Sequence, residues 1–418
     1  MIFDRLEITK PASKTSFLRN DTFTIDGLEV TAIYIENEIE YHRVVTNECV
    51  FNPTIGSVLS SKGDIQVEIS YSDLEVTKTM SYGIYIKYLL NYHSTATALQ
   101  RGRNSLAGTS NKNYAIFAGG AYDTSSNSET SVIDAYDENL VRTNGPNIYM
   151  EEYYAAASVG DYAFFGGGWA GSVSEDVFPI NGQLAVTSCS PLSKARYHLA
   201  GASTLNNVIF AGGNDNGRNL NTVDSYNYNL VKKTPTSLSF DSSTLAGASV
   251  GQYALFAGEY HYKRPDYYAY EYVDGYNDNL VKVSVPYMSE GRGDLVGTSV
   301  GNYALFAGGF NGTTGSVVVD AYNSDLVRST PATLSVGRCD LASASVGDYA
   351  LFAGGRTSTS YGAARNTVDI YDLDLVRTSP EAPLTSARYN LAGASIGEYA
   401  LFAGGYVNIA TVDVYGVA

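Results

Sequence analysis

The sequence predicts an all-β fold in which one short unit recurs seven times after a first segment of different character. Three observations predict it. A phrase of tyrosine, small apolar residues and Phe-Ala-Gly-Gly, or a close variant, recurs with its phenylalanine at Phe117, Phe165, Phe210, Phe256, Phe306, Phe352 and Phe402, at spacings of 45 to 50 residues. A period of that size marks a supersecondary unit that buries its apolar faces only against its neighbours. The 41 glycines suit many short strands joined by tight turns. The third observation concerns residues 5–87, which lack the phrase but alternate apolar and polar residues at strand period.

Each copy reads as four strands. The first resembles Arg388-Tyr-Asn-Leu-Ala-Gly-Ala-Ser, followed by a turn at Ile396-Gly397-Glu398. The second, Tyr399-Ala-Leu-Phe-Ala-Gly-Gly, is apolar and small without clean alternation, as suits a strand covered on both faces. The third, Thr367-Val-Asp-Ile-Tyr, has period-2 character. A short polar turn leads to the fourth, Leu375-Val-Arg-Thr. The last copy stops after Val412-Asp413-Val414-Tyr415 and three more residues, so it lacks a fourth strand. Counting back from Arg103 by the spacing seen in other copies lands on Leu90 or Asn91. A strand from about residues 88–95 is therefore expected to close the ring by pairing into the last unit, which removes an open edge.

These seven copies resemble kelch repeats, over about residues 88–418. The resemblance implies a seven-bladed β-propeller, one blade per copy. One departure stands out: kelch repeats usually carry a tryptophan near the fourth strand, where these copies show Leu-Val, as in Leu140-Val141 and Leu230-Val231. The single tryptophan, Trp169, follows a Gly-Gly instead, and the glycine pair breaks once, at Gly258-Glu259. The first segment carries Asp21-Thr-Phe-Thr-Ile-Asp-Gly-Leu-Glu-Val-Thr-Ala-Ile-Tyr and Gly63-Asp-Ile-Gln-Val-Glu-Ile-Ser-Tyr. It resembles the bacterial immunoglobulin-like domains of surface adhesins and phage structural proteins. The expected organisation is an immunoglobulin-like β-sandwich at residues 1–87 and a propeller at 88–418.

Composition excludes several classes of partner. Forty-three acidic against 27 basic residues give a net charge of −16, which argues against nucleic acid or an anionic membrane. Nothing approaches the ~20 apolar residues of a membrane-spanning helix. The start lacks a basic region followed by an apolar core, so no secretory signal is expected. Cys49, Cys189 and Cys339 share no motif spacing, and four histidines (His42, His93, His198, His261) offer no common geometry for redox copper. No cofactor, metal site or catalytic constellation is expected. The kelch resemblance nevertheless keeps a second class open, because some such propellers are sugar-active enzymes, the sialic acid mutarotases among them.

Repetition itself separates scaffold from site. Aspartates recur on the third strand at Asp134, Asp176, Asp224, Asp274, Asp320, Asp369 and Asp413, and arginines open the first at Arg103, Arg196, Arg292, Arg338 and Arg388. A group copied into every blade cannot mark one active site, so both read as structural. Arg292-Gly293-Asp294 matches an integrin-type tripeptide only because Arg292 is the repeat arginine. Loops between strands one and two and between three and four are tight and nearly constant. Those between two and three, and from four to the next blade, vary in length and share the opposite face, where binding sites gather.

The longest variable loop, in copy four, carries Tyr260, His261, Tyr262, Arg264, Tyr267, Tyr268 and Tyr270. Aromatic rings beside hydrogen-bonding neighbours suit sugars or a protein hot spot. Trp169, Tyr122, Arg356, Tyr361, Arg365 and Tyr406 complete the candidate binding set from other copies. The plainer alternative for any one of the 35 tyrosines is scaffold, since tyrosine forms strands well. The repeats also resemble kelch arrays in phage and prophage tail proteins of Firmicutes. That resemblance implies a non-enzymatic virion component (tail tip, fibre or head decoration), made in a bacterial cytoplasm. Its propeller would meet a host-surface glycan or protein, and its first domain would meet other virion proteins. An extracellular bacterial adhesin is the remaining alternative.

Overall fold

The structure is a computed structural model that describes all residues of the chain except 19–20, 60–62, 88–89, 123–131, 147–151, 170, 264–265, 359–361 and 418. It divides into two compact units, Met1–Leu89 and Leu90–Val417.

In the first unit, Ile2–Lys10, Glu29–Glu36 and Ile39–Val44 form a three-stranded sheet. Ser16–Leu18, Val76–Lys87, Gly63–Asp73 and Val50–Asn52 form a four-stranded sheet in that order. Alternation places Val30, Ala32, Val67, Ile69, Ile84 and Ile86 inward, where they meet Phe17, Phe23 and Phe51 in one apolar core. On the face of the three-stranded sheet turned away from this core, Ile33 is buried between Arg5 and His42, and Arg5 pairs with Glu7 and Glu40.

The second unit contains, among the described residues, seven sheets of three or four antiparallel strands, each built around one copy of the repeat. In copy six the order is Ala342–Val346, Tyr349–Ala353, Val368–Tyr371 and Arg377–Thr378. The inner strand of every copy packs beside that of the next, and the inner strand of copy seven beside that of copy one, so the seven form a closed ring. Small residues permit this approach. A Cβ added to Gly247 would collide with the carbonyl oxygen of Gly201, and one added to Gly297 with that of Gly247. Hydroxyls stitch the same strands, Ser203 donating to the Ser158 carbonyl at 2.6 Å and Ser299 to that of Ser249 at 2.6 Å.

The ring is closed by a strand from the start of the unit. Leu90–Ala96 forms the outermost strand of the copy-seven sheet, antiparallel to Val412–Val417. This is the place the count from Arg103 requires.

Most repeat residues are scaffold. The phenylalanine of the second strand meets a third-strand tyrosine edge-on, as in Phe306–Tyr322 at 6.0 Å and Phe352–Tyr371 at 5.7 Å. Those tyrosines are fully buried, and Tyr136 and Tyr371 each donate a hydrogen bond to a backbone carbonyl at 2.7 Å. The repeat arginine and aspartate form a buried pair in copies one, three, five, six and seven, as in Arg292–Asp320 and Arg388–Asp413 at 2.7 Å. In four of those five copies a fourth-strand cation also reaches the aspartate, as Arg328 does with Asp320 at 3.0 Å.

Two copies depart from this plan, and one sequence expectation is corrected. In copy two the residue paired with Phe165 is Phe178, so Asp176 is not the register equivalent of the other aspartates. It lies before the strand Val177–Ile180 and is exposed. In copy four Ser242 stands at the arginine position, and Asp274 pairs with Lys282 at 2.8 Å instead.

The loop expected in copy four is also corrected: Tyr253–Lys263 and Asp266–Tyr276 are continuous strands, paired out to Lys263 and Asp266. The cause is local. In other copies both glycines of the pair take positive φ, as Gly354 at 67° and Gly355 at 98°, which ends the strand. In copy four only Gly258 does so, and the chain resumes extension through a bulge at Glu259. In copies three, six and seven the second glycine of the pair packs against the repeat arginine; a Cβ on Gly213 would lie 3.1 Å from Arg196 Cδ. With Ser242 in place of arginine, the buried Glu259 side chain fits there and bonds Ser242 and Asn219.

Candidate functional site

Where the inner strands begin, on the side that carries the variable loops, the axis of the ring opens into a cavity of about 560 Å³. Each copy contributes the residue two positions after the repeat arginine, or its equivalent: Ser105, Tyr153, His198, Thr244, Asp294, Asp340 and Asn390. Below each lies the leucine or tyrosine that opens the buried part of the strand.

All seven residues have positive φ, between 51° and 62°. That conformation is a genuine outlier for a β-branched residue such as Thr244. Its structural cause is on view. It turns the backbone N–H of six of them toward the carbonyl of the same position in the preceding copy: Thr244 to His198 at 3.1 Å, Asp294 to Thr244 at 3.0 Å, Asp340 to Asp294 at 3.2 Å, Asn390 to Asp340 at 3.0 Å, Ser105 to Asn390 at 2.9 Å and Tyr153 to Ser105 at 3.4 Å. The backbone thus forms the hoop, and the residue type at the position is left free to vary. All seven side chains can hydrogen-bond, although the residue type changes around the ring.

The mouth is asymmetric. On one side Arg356 Nε donates to Asp340 Oδ2 at 2.6 Å, and its guanidinium lies 4.5 Å above the Tyr389 ring. Tyr389 in turn stacks on Tyr406 at 4.9 Å. Burial pulls the Arg356 pKa down, but the charge and hydrogen bond of Asp340 more than offset it and the net shift is upward. Asp294 sits deep in the mouth, yet part of its surface faces the cavity. Burial, reinforced by the negative charge of Asp340, raises its pKa against the opposing pull of Arg356. On the other side His198 packs against Tyr153 at 4.2 Å and Tyr197 at 4.8 Å. Burial pulls the His198 pKa down to about 4, so the imidazole is neutral near pH 7. Burial first, then the charge of Glu152, pushes Tyr153 up to about 12.

Several residues marked by sequence converge here. The residue after each Gly-Gly bridges the residue after the repeat arginine, which brings Arg356 to Cys339 and Trp169 to Glu152. Arg356 lines the cavity; Tyr406 joins it through Tyr389, the neighbour of Asn390. Tyr122 lies under the Arg101 guanidinium at 3.0 Å, and its carbonyl accepts a hydrogen bond from Asn408. Arg365 is half-buried and tied by its backbone to Gly355 and Arg388; it does not line the cavity. Tyr260, His261, Tyr262, Tyr267 and Tyr268 lie on the paired hairpin strands, and Tyr270 stacks on Tyr272 at 5.3 Å. Arg264 and Tyr361 lie outside the described residues.

Sequence reasoning missed the hoop itself. Loop length drew attention to insertions, whereas the hoop sits at a fixed position inside the repeat. The available signal was a column, two residues after the arginine, that is polar in every copy without a constant residue type. Asp294 was even passed over as part of a chance tripeptide. Among the described residues no group of histidine, cysteine, aspartate or glutamate is arranged to hold a metal ion, and no helix is long and apolar enough to cross a membrane.

No family model matches the sequence, and no curated protein matches it. Among solved structures, this chain is similar to the kelch-type propeller protein YjhT, with a TM-score of 0.50 and 12% sequence identity, covering 62% of this chain and 93% of that one. At that identity the likeness speaks for fold alone. Together with the closed ring of small antiparallel sheets, it makes this an all-β protein with a β-propeller.

Proposed function

We propose that the chain is a seven-bladed kelch-type propeller preceded by an immunoglobulin-like module, and that it works by binding a small polar ligand, a carbohydrate by preference, at the mouth of the central channel. One observation carries the reading: seven hydrogen-bonding side chains, one from each repeat, converge on a single cavity while backbone hydrogen bonds link their positions into a hoop. A concave site of this size with convergent polar groups and shifted pKa values is where a ligand is first sought. The ring of Tyr153 at the cavity wall and that of the exposed Tyr406 offer apolar faces to a sugar, and the hairpin Tyr253–Tyr276 extends the same face.

The biological setting that fits is a virion component displaying this face to a host-surface glycan, its first module meeting other virion proteins. That setting is supported by the resemblance of the repeats to phage tail proteins. Multivalent display would let a weak single site suffice. A second reading, a sugar-active enzyme, is favoured by one observation: ionisable groups with shifted pKa values gather at the channel mouth rather than on the outer loops.

The test is a glycan array and a cell-binding assay with the full chain and two variants. Arg356→Gln alters the mouth. Replacement of Tyr260, Tyr262, Tyr267 and Tyr268 by alanine alters the hairpin. Binding changed by the first and unaffected by the second supports the mouth as the site. The reverse pattern moves the site to the hairpin, and release of a modified sugar would favour the enzyme.

A further inference from the structure

We infer that the ligand of the channel mouth carries an ammonium group, so that the mouth is built for an amino sugar whose cation sits against Asp294 and Asp340. The inference rests on the reading of the mouth as a ligand site and adds the charge class of what enters.

Asp294 and Asp340 occupy adjacent places in the hoop, joined by the backbone hydrogen bond from Asp340 to Asp294 at 3.2 Å. Arg356 supplies the guanidinium of the cavity wall, and it is committed to Asp340 at 2.6 Å and laid over Tyr389. Among the described residues no hydrogen-bond donor reaches the Asp294 carboxyl. A carboxyl deep in a protein is ordinarily hydrogen-bonded or paired, and this one opens toward the cavity instead. The groups that act on it electrostatically are Asp340, which raises its pKa, and Arg356, which opposes that rise. Across the mouth the imidazole of His198 is neutral near pH 7, so among the described lining residues no second cation balances the acidic side.

An anionic sugar would meet two carboxyls and one guanidinium already engaged. A neutral sugar would leave Asp294 protonated and its charge unused. A protonated amine would pair with Asp294 directly and gain from Asp340 as well, while Ser105, Tyr153, Thr244 and Asn390 remain to meet hydroxyls. The volume accepts one or two sugar rings, within the ordinary range for small-ligand sites.

The experiment is calorimetric titration of the full chain at pH 6 with the glucosamine disaccharide, its N-acetylated counterpart and sialyllactose. Wild type is compared with Asp294→Asn and Asp340→Asn, whose fold is checked by thermal melting. The expected result is binding of the amine at least about tenfold tighter than of its acetylated form, equivalent to about 1.4 kcal/mol. That preference should vanish in Asp294→Asn, while residual binding of the acetylated sugar persists. Equal affinity for the two disaccharides, preference for sialyllactose, or an undiminished preference in Asp294→Asn overturns the amine while leaving a sugar-binding mouth in place. Absence of binding by every sugar overturns both the amine and the mouth. If Asp294→Asn fails to fold, Asp340→Asn and the wild-type comparison of amine with acetylated sugar decide the matter.

Discussion

Two positions at the head of each inner strand, only two residues apart, have opposite fates. The first holds an arginine in five copies, each fully buried and paired with a third-strand aspartate. The second holds seven polar side chains in six residue types, all gathered on the cavity. The difference teaches what repetition conserves. The arginine side chain lies inside the sheet stack, where a buried charge must have its partner. At the second position the backbone makes the structural bonds, and the side chain is free to differ. Scaffold and site are therefore interleaved along one strand, rather than divided between strands and loops.

The largest break of this comparison falls on the first position. Asp369→Asn should leave the buried Arg338 without its counter-charge and cost about 3–5 kcal/mol in denaturant unfolding. In the equivalent change in copy four, Asp274→Asn, the paired cation is the partly exposed Lys282 and the other donors, the Ser239 N–H and hydroxyl, are neutral, so the cost should be about 1 kcal/mol or less. Arg338→Met combined with Asp369→Leu should recover much of the single-site loss, because copy two already holds the apolar Phe178 where the other copies hold the aspartate. Equal losses at Asp369 and Asp274 would contradict the assignment.

A pH test separates the second position from the first. His198 has its pKa lowered from 6.5 to about 4, so the folded state favours the neutral ring and the unfolded chain binds the proton more readily. Its contribution to stability is complete above about pH 6.5 and is lost as pH falls toward 4. Wild type should lose melting temperature across that window relative to His198→Asn, a replacement that tolerates positive φ. Comparison with the variant is essential, because Glu259, pushed up to about 7 by burial, carries the opposite sign. Parallel melting curves across the window would show that His198 is not held neutral.

Smaller effects sharpen the picture. Thr244→Asn should raise stability by about 1 kcal/mol, since a β-branched residue is held at φ 57° in the hoop. A destabilised variant would mean that its methyl packing outweighs the strain. Glu259→Gly should weaken pairing in the copy-four hairpin by about 0.5–1 kcal/mol, read as roughly two- to fivefold faster amide exchange at 260–263 and 266–269. Unchanged exchange would show that the hairpin strands hold without that residue.

Much of the fold was legible. Strand order within a copy follows from period-2 alternation, Gly-Gly punctuation and the constant turns, and these are local properties of the chain. The pairing of Leu90–Ala96 with Val412–Val417 followed from counting, because a missing fourth strand leaves an edge that must be covered. Asp176 was misread because it stands two residues before Phe178, the residue that pairs with Phe165 in its copy. The hairpin of copy four was read as a loop because its polar, tyrosine-rich text hides a strand. What extends it is the single exchange of glycine for Glu259.

By itself, then, the chain of residues determined that short sheets recur, which strand completes the last of them, and that recurrent arginines and aspartates belong to the scaffold. Only the tertiary structure decided which polar side chains meet. Asp294, Asp340, Tyr153 and His198 come from separate copies, at least about 45 residues apart along the chain, and share a cavity because the ring closes. Local pattern encodes strands and turns, but convergence across a ring depends on the closure of all seven sheets at once.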